Sequence, residues 1–269
     1  MAITALHSAA TGLRALSTQI DVVANNLANA ETTGFKRSRV NFEDLMYLTL
    51  KQPGMVSGTG DPSPAGIFVG LGVKISNTQL DTEQGSLEST GRPLDISIQG
   101  DGFFRVKILD SVADGTAYTR NGNFMTNADG ELILGLGDGY RLVPPVTIPA
   151  DATEVSISTS GTVEVLRAGQ QTPVTVGQLQ ISQFVNPQGL SLLGGSLYVE
   201  TAASGAPIDG QPGEAGGGQL IQGFLEASNV DPVKELVTLI KTQRAFELNS
   251  QSIQTADQAL QTIGNLRRQ

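Results

Sequence analysis

The chain contains one histidine and no cysteine, which removes most of the usual side-chain chemistry at the outset. A Cys–His nucleophile pair is impossible, and a zinc site would have to be built from carboxylates around a single imidazole. That histidine, His7, lies beside Leu6 in an apolar helical repeat and reads as a flank residue of a helix contact. Gly135-Leu-Gly137-Asp-Gly139 has the glycine density of a phosphate cradle. It lacks a suitably placed lysine, and the following Tyr140-Arg-Leu-Val-Pro-Pro cannot open a helix, so it reads as a β-turn. Asn127-Ala-Asp129-Gly130-Glu131 offers oxygen ligands, but too few in register for a calcium loop. Acidic residues are scattered through the middle of the chain, and no spacing singles out a glycosidase-type carboxylate pair. The residue types therefore predict no catalytic, cofactor-binding or metal site, and no enzyme.

Composition narrows the remaining classes. The net charge is −9, which argues against nucleic acid as a partner, because a basic surface supplies most of that affinity. No apolar run reaches the length of about 18 residues that a transmembrane helix needs. The N-terminus shows neither a basic start nor a small-residue cleavage site, so no conventional secretory signal is expected. A cysteine-free chain suits the cytosol, or export without oxidative folding. Charged residues make up 16% of the chain, against roughly 25% in ordinary soluble domains. The first thirty residues carry only Arg14 and Asp21 as charged side chains. A helix so poor in charge needs a partner surface.

The two ends share one pattern. Leu6, Leu13, Ile20 and Leu27 recur every seven residues, preceded three positions earlier by Ile3, Ala10, Ser17 and Ala24. Leu239, Phe246, Ile253 and Leu260 do the same, followed three positions later by Thr242, Asn249, Ala256 and Ile263. Both are seams of coiled-coil type. They predict a first helix over 3–29, and a last helix from Asp231-Pro232 to about Leu266 with an aspartate N-cap and proline at its first position. The polar stretch after the first helix ends in Gly34, which can supply a left-handed cap. The ends are expected to pair into a discontinuous helical module, 1–35 with 228–269. Their apolar surface exceeds what one helix pair buries, which is the geometry of a polymerising subunit. Gln243, Asn249 and Ser250 sit close to the last seam. They reflect either a narrow apolar stripe or buried amides that set register and partner number.

Between the helices the period changes. Residues 36–72 read as an extended linker or arm, dense in Gly and Pro from Gln52 onward. Its Pro53-Gly54 turn lets Tyr47, Leu48 and Leu50 fold back as an inter-subunit arm. Residues 73–227 read as a β domain, including a Gly/Pro-rich return linker from Ala203 to Gly218. Hairpins are expected around Ala128-Asp129-Gly130 and Ser160-Gly161. The fold class is α+β: a terminal helical module and a central, mostly antiparallel β domain.

Several segments resemble the rod and hook axial proteins of the bacterial flagellum. Val23-Ala-Asn-Asn-Leu-Ala-Asn and Thr33-Gly34-Phe35-Lys36-Arg37 are similar to that family's N-terminal signature, on Asn25, Asn26, Leu27, Asn29, Gly34 and Phe35. Glu226-Ala-Ser-Asn-Val-Asp and Gln243-Arg-Ala-Phe-Glu-Leu-Asn are similar to its C-terminal end. Gly100-Asp-Gly-Phe-Phe104 and Tyr118-Thr-Arg-Asn-Gly-Asn-Phe124 are similar to its β domain. Phe42-Glu-Asp-Leu-Met-Tyr-Leu-Thr-Leu-Lys-Gln-Pro-Gly54 resembles the segment peculiar to the distal-rod branch. That segment argues against the nearer alternative, a proximal rod or hook type. Lys107 to Ala117 is longer than the family's usual hairpin, and Gly264-Asn-Leu-Arg-Arg-Gln extends the tail.

The resemblance implies a structural subunit of the distal rod, the drive shaft that passes torque from motor to hook. It implies export by the flagellar type III apparatus without a cleaved signal peptide, and helical assembly with itself across the periplasm to the outer membrane. It implies as neighbours the proximal rod and hook proteins and the periplasmic and outer-membrane bushing rings. The terminal helices would form the inner tube, the β domain the outer layer, and the arm at Tyr47, Leu48, Leu50 and Pro53 would brace neighbouring subunits.

Overall fold

A computed structural model describes residues 2–54, 64–108, 115–136, 139–214 and 216–266. Its chain divides into two compact units. One contains Met1–Ala28, Ser38–Gln79 and Asp231–Gln269; the other contains Asn29–Arg37 and Leu80–Val230. The stretch 38–79 thus belongs with the helices, a division along a different line from the expected 36–72 arm and 73–227 β domain.

The helical unit is built on two long helices. Helix α1 spans Ala2–Ala28 and helix α2 spans Pro232–Leu266. The start of α2 is capped as its sequence predicts. Asp231 Oδ1 accepts the backbone N–H groups of Val233 (3.0 Å) and Lys234 (3.2 Å). Those bonds and the nearby Lys234 ammonium hold the Asp231 carboxyl below its ordinary range. The helices pack against each other in antiparallel sense. Asn26 meets Glu235, and Gly12 meets Asn249, at equal steps along both chains.

Two ribbons complete this unit. Strand Ser38–Asp44 pairs with Val73–Leu80, and Tyr47–Lys51 pairs with Ile67–Gly70. The link between them is regular: Leu45 N–H donates to the Gly72 carbonyl and Leu71 N–H to that of Met46. What reads in sequence as an arm is therefore a continuous two-stranded ribbon. Its far end, 55–63, lies outside the described residues, as do residues 109–114 of the expected extension from Lys107 to Ala117, Gly137 and the tail after 266.

The β unit is antiparallel at every described strand pair. Its largest sheet runs in the order Ser191–Gly194, Leu197–Val199, Thr116–Thr119, Phe103–Lys107, Arg141–Leu142, Leu132–Leu134, Phe124–Thr126. The expected hairpins are present: Phe124–Thr126 pairs with Leu132–Leu134, and Ala152–Ile157 with Thr162–Arg167. The unit's last strands close on its first ones. Gln219–Gln222 pairs with Ile96–Gln99, and Phe224–Glu226 with Leu87–Ser89. Its core is apolar: Ile96, Ile98, Phe104, Val106, Phe124 and Leu134 are all buried. Phe104 and Phe124 meet edge to face with ring centroids 5.1 Å apart, and Tyr118 and Phe184 do so at 4.8 Å.

Candidate assembly interface

The structure separates the two predicted seams. On α2, the seam faces α1: Leu239, Asn249, Ile253, Ala256 and Leu260 are half-buried and Thr242 is buried, with Phe246 at the margin. On α1, a different face meets α2. The buried residues are Gly12, Ala15, Val23 and Asn26. Gly12 leaves a hollow for an amide, since a Cβ built there would come 3.1 Å from Asn249 Nδ2. Leu13 and Leu27 each follow a buried residue, so they lie about 100° round the helix from it. Leu6, Leu13, Ile20 and Leu27 are only half-buried, and their companions Ala10, Ser17 and Ala24 are exposed. The leucine seam of α1 thus does not pair with α2 inside the subunit. Small residues make that contact, because they let the helices approach closely, and small residues carry little hydrophobic signal. The side chains of Ile3 and Ile263 lie outside what is described.

The amides sort themselves by position. Asn249 is half-buried over Gly12, whereas Gln243 is exposed and Ser250 half-buried. A stronger register device comes from the N-terminal motif. Asn26 is buried, donates to the Ser38 carbonyl (2.8 Å), accepts from Ser38 N–H (3.0 Å) and reaches Glu235 Oε2 at 3.4 Å. One side chain thereby fixes the chain leaving the helix and the level of α2.

Further exposed apolar surface lies on the same unit. Val233, Leu236, Val237, Ile240 and Leu248 are exposed on α2. On the ribbon, Met46 is 82% exposed, and Tyr47, Leu48, Leu50, Ile67 and Phe68 are about half exposed. Consecutive strand residues point to opposite faces, so the ribbon is apolar on both. Its base is held by α1. His7 Nδ1 lies 3.1 Å from the Leu71 carbonyl oxygen, so the ring N–H donates there, and Thr11 Oγ1 accepts Val73 N–H at 3.3 Å. His7 is therefore a ribbon anchor rather than a flank of the helix seam. Pro53 forms the turn after Lys51 and is exposed.

The rest of the N-terminal motif lies in the β unit and meets the other two motifs there. Gly34 is not a helix cap, since α1 ends at Ala28. It has φ of 67°, donates to the Glu226 carbonyl (2.8 Å), and a Cβ there would sit 2.7 Å from Asn121 N. The backbone approach itself demands glycine. Phe35 is half-buried, and its carbonyl accepts Asn229 N–H. Asn29 is half-buried and accepts the Thr32 hydroxyl at 3.1 Å.

Beside them is a buried ion cluster that the sequence reading did not find. Glu226, fully buried, binds Lys36 Nζ at 2.6 Å and accepts Gly85 N–H at 2.9 Å on one oxygen. Its other oxygen lies 3.4 Å from Arg120 Nη1. Lys36 also donates to the Glu83 carbonyl, and Arg120 to the Gly100 carbonyl while lying over the Phe103 ring. Burial pushes Lys36 and Arg120 below their ordinary values, and Glu226 opposes the shift. Lys36, Arg120 and Glu226 each belong to a different one of the three motif regions, and no local pattern in the sequence marks their convergence.

Among the described residues no group of three or more His, Cys, Asp or Glu could hold a metal ion, and no helix is long and apolar enough to cross a membrane.

Three family descriptions match in chain order. Residues 6–36 match "Flagella basal body rod protein", 97–165 the "Flagellar hook protein FlgE/F/G D1 domain", and 221–266 "Flagellar basal body rod FlgEFG protein C-terminal". Relatives called flagellar basal-body rod protein FlgG align almost end to end. That of Caulobacter vibrioides is 47% identical over 98% of this chain and 99% of its own. Those of Buchnera aphidicola subsp. Schizaphis graminum (45%, covering 95% and 96%) and Borreliella burgdorferi (43%, covering 98% and 99%) follow. The chain belongs to the FlgG family of flagellar basal-body rod proteins. It is a structural rod subunit of the flagellar basal body. In this FlgG-family chain the two outer matches run over α1 and α2 with the short segments beside them, and the central one lies within the β unit.

Proposed function

We propose that this FlgG-family subunit polymerises helically with itself to form the distal rod, the straight shaft that carries torque from motor to hook. One observation carries the reading. The helical unit leaves apolar surface in solvent at three places: the half-buried leucine stripe of α1, the exposed outer face of α2, and both faces of the ribbon. An isolated two-stranded ribbon is marginal in water, and a contiguous apolar surface of this kind marks a protein contact. Each subunit thus has several distinct faces for neighbours, and contact between unlike faces, unlike a two-fold contact, can propagate into a helical filament. At about 25 cal/mol per Å² of apolar area, many modest contacts suffice for a stiff shaft.

The ribbon is the bracing arm in this reading. It projects from a base hydrogen-bonded to α1, so a neighbour that grips Tyr47, Leu48 and Leu50 cannot slide freely along the helix pair. The chemistry is contact and load transfer, with no turnover. Adjoining proximal rod and hook proteins, the bushing rings and the type III export apparatus complete its setting, which spans the periplasm to the outer membrane without a cleaved signal peptide.

Replacing residues 47–70 by Asn-Gly tests it. Met46 and Leu71 are hydrogen-bonded across the ribbon, and a two-residue Asn-Gly turn closes such an antiparallel pair. The shortened protein should polymerise into curved or flexible fibres, seen by electron microscopy. Straight rods indistinguishable from the full-length polymer would refute the bracing role. A full-length protein that stays monomeric at high concentration, even with seeds, would refute polymerisation itself.

A further inference from the structure

The helix pair carries charges that its own subunit does not use. Arg14 and Asp21 are the only charged residues of α1, and both are exposed. Lys241 and Glu247 are exposed on α2. None of the four makes an ion pair among the described residues. In the register fixed by the Gly12–Asn249 and Asn26–Glu235 contacts, Arg14 is level with Glu247, and Asp21 is within one residue of the level of Lys241. The same register brings Leu13 level with Leu248, and Ile20 beside Ile240. The four charged residues are exposed, and their spacings, seven residues on α1 and six on α2, let a second helix pair form both opposite-charge pairs at once.

We propose that α1 of one copy lies antiparallel along the outer face of α2 of a second copy, in the register that pairs Arg14 with Glu247 and Asp21 with Lys241. This rests on the reading that the chain polymerises with itself, and specifies the contact. Charge order selects the direction. A parallel arrangement of the same four residues would set Arg14 against Lys241 and Asp21 against Glu247, two like-charge pairs beside the exposed Arg244. The antiparallel one satisfies both. The two surfaces differ, so each copy offers one and receives the other, and the contact can repeat from copy to copy. Charges at the rim of an apolar contact add modest affinity but determine which register forms.

Charge reversal tests this on the full chain. Arg14→Glu and Glu247→Arg should each raise the critical concentration for polymer growth about tenfold at low salt, roughly 1.4 kcal/mol per contact. The double variant R14E/E247R should return it to within about threefold of the starting protein, since the pair is restored in reverse. Asp21→Lys with Lys241→Asp should behave alike. Added salt should shrink the single-variant effects, because the Debye length falls from about 10 Å at 0.1 M to about 3 Å at 1 M. Monomer circular dichroism should not change in any of them. If the parent polymerises and the single reversals grow normally, or if the doubles are no better than the singles, this register is wrong while polymerisation stands. A parent that never polymerises removes the premise instead.

Discussion

The β unit and the helical unit spend their apolar residues differently. In the β unit, aromatic and branched side chains close on one another, and Phe104, Phe124, Ile96 and Leu134 have no solvent exposure. In the helical unit, the buried contact is made largely by Gly12, Ala15, Val23 and Asn26 on α1, while Val233, Leu248 and the ribbon's Tyr47 and Leu50 remain in solvent. The first unit is complete within one chain. The second leaves larger side chains in solvent, which the proposed contacts with other copies would cover. In that reading, holding a fold and meeting neighbours fall to different regions of one chain.

The comparison is tested most severely at Glu226. Removing this carboxylate leaves Lys36 and Arg120 buried without a counter-ion. Glu226→Ala should therefore destabilise the β unit by about 3–5 kcal/mol, read from its denaturant midpoint. The far-ultraviolet helix signal should survive at denaturant concentrations where the tertiary aromatic signal is lost. A shift below about 1 kcal/mol would mean that the cluster is open to water and the unit less self-contained than described.

Alkaline titration probes the same core. Burial raises the Tyr118 phenol from its ordinary 10.0 to about 12, and raises Tyr198 further in the same direction. A raised folded-state value means that stability is fully present below the unfolded value and is lost as pH rises through the folded one. The β unit should thus weaken progressively between about pH 10 and pH 12. Tyr118→Phe should flatten that limb, monitored by the tertiary aromatic signal. An unchanged limb would show that Tyr118 ionises freely in the folded state.

A smaller effect is expected where the helices touch. Gly12→Leu fills the hollow occupied by Asn249 and should cost about 1–3 kcal/mol of helix pairing. Reduced helix content in the monomer would report it, whereas an unchanged monomer would place Asn249 elsewhere in solution. The smallest effect on the monomer should come from Leu13→Asp, roughly 0.5 kcal/mol, because that side chain borders solvent. Polymer growth should nonetheless fail, since the added carboxylate would be desolvated in the contact. Normal growth of this variant in sedimentation assays would remove the leucine stripe from the interface.

Much of this molecule is legible in its residues. The seven-residue repeats locate both helices, Asp231-Pro232 locates the start of α2, and the glycine-centred turns locate two hairpins. Those features are local: they depend on caps, turn residues and periodicity, which act over a few positions. The repeat also says that a stripe of α1 is apolar, but not what covers it. Tertiary structure decided that, by seating α2 on Gly12 and Ala15, where close approach is possible, and leaving Leu13 and Ile20 at the border with solvent. It likewise brought Lys36, Arg120 and Glu226, far apart in the chain, onto one carboxylate. No periodicity encodes such a meeting, because its stability depends on burial, and burial exists only once the strands have closed.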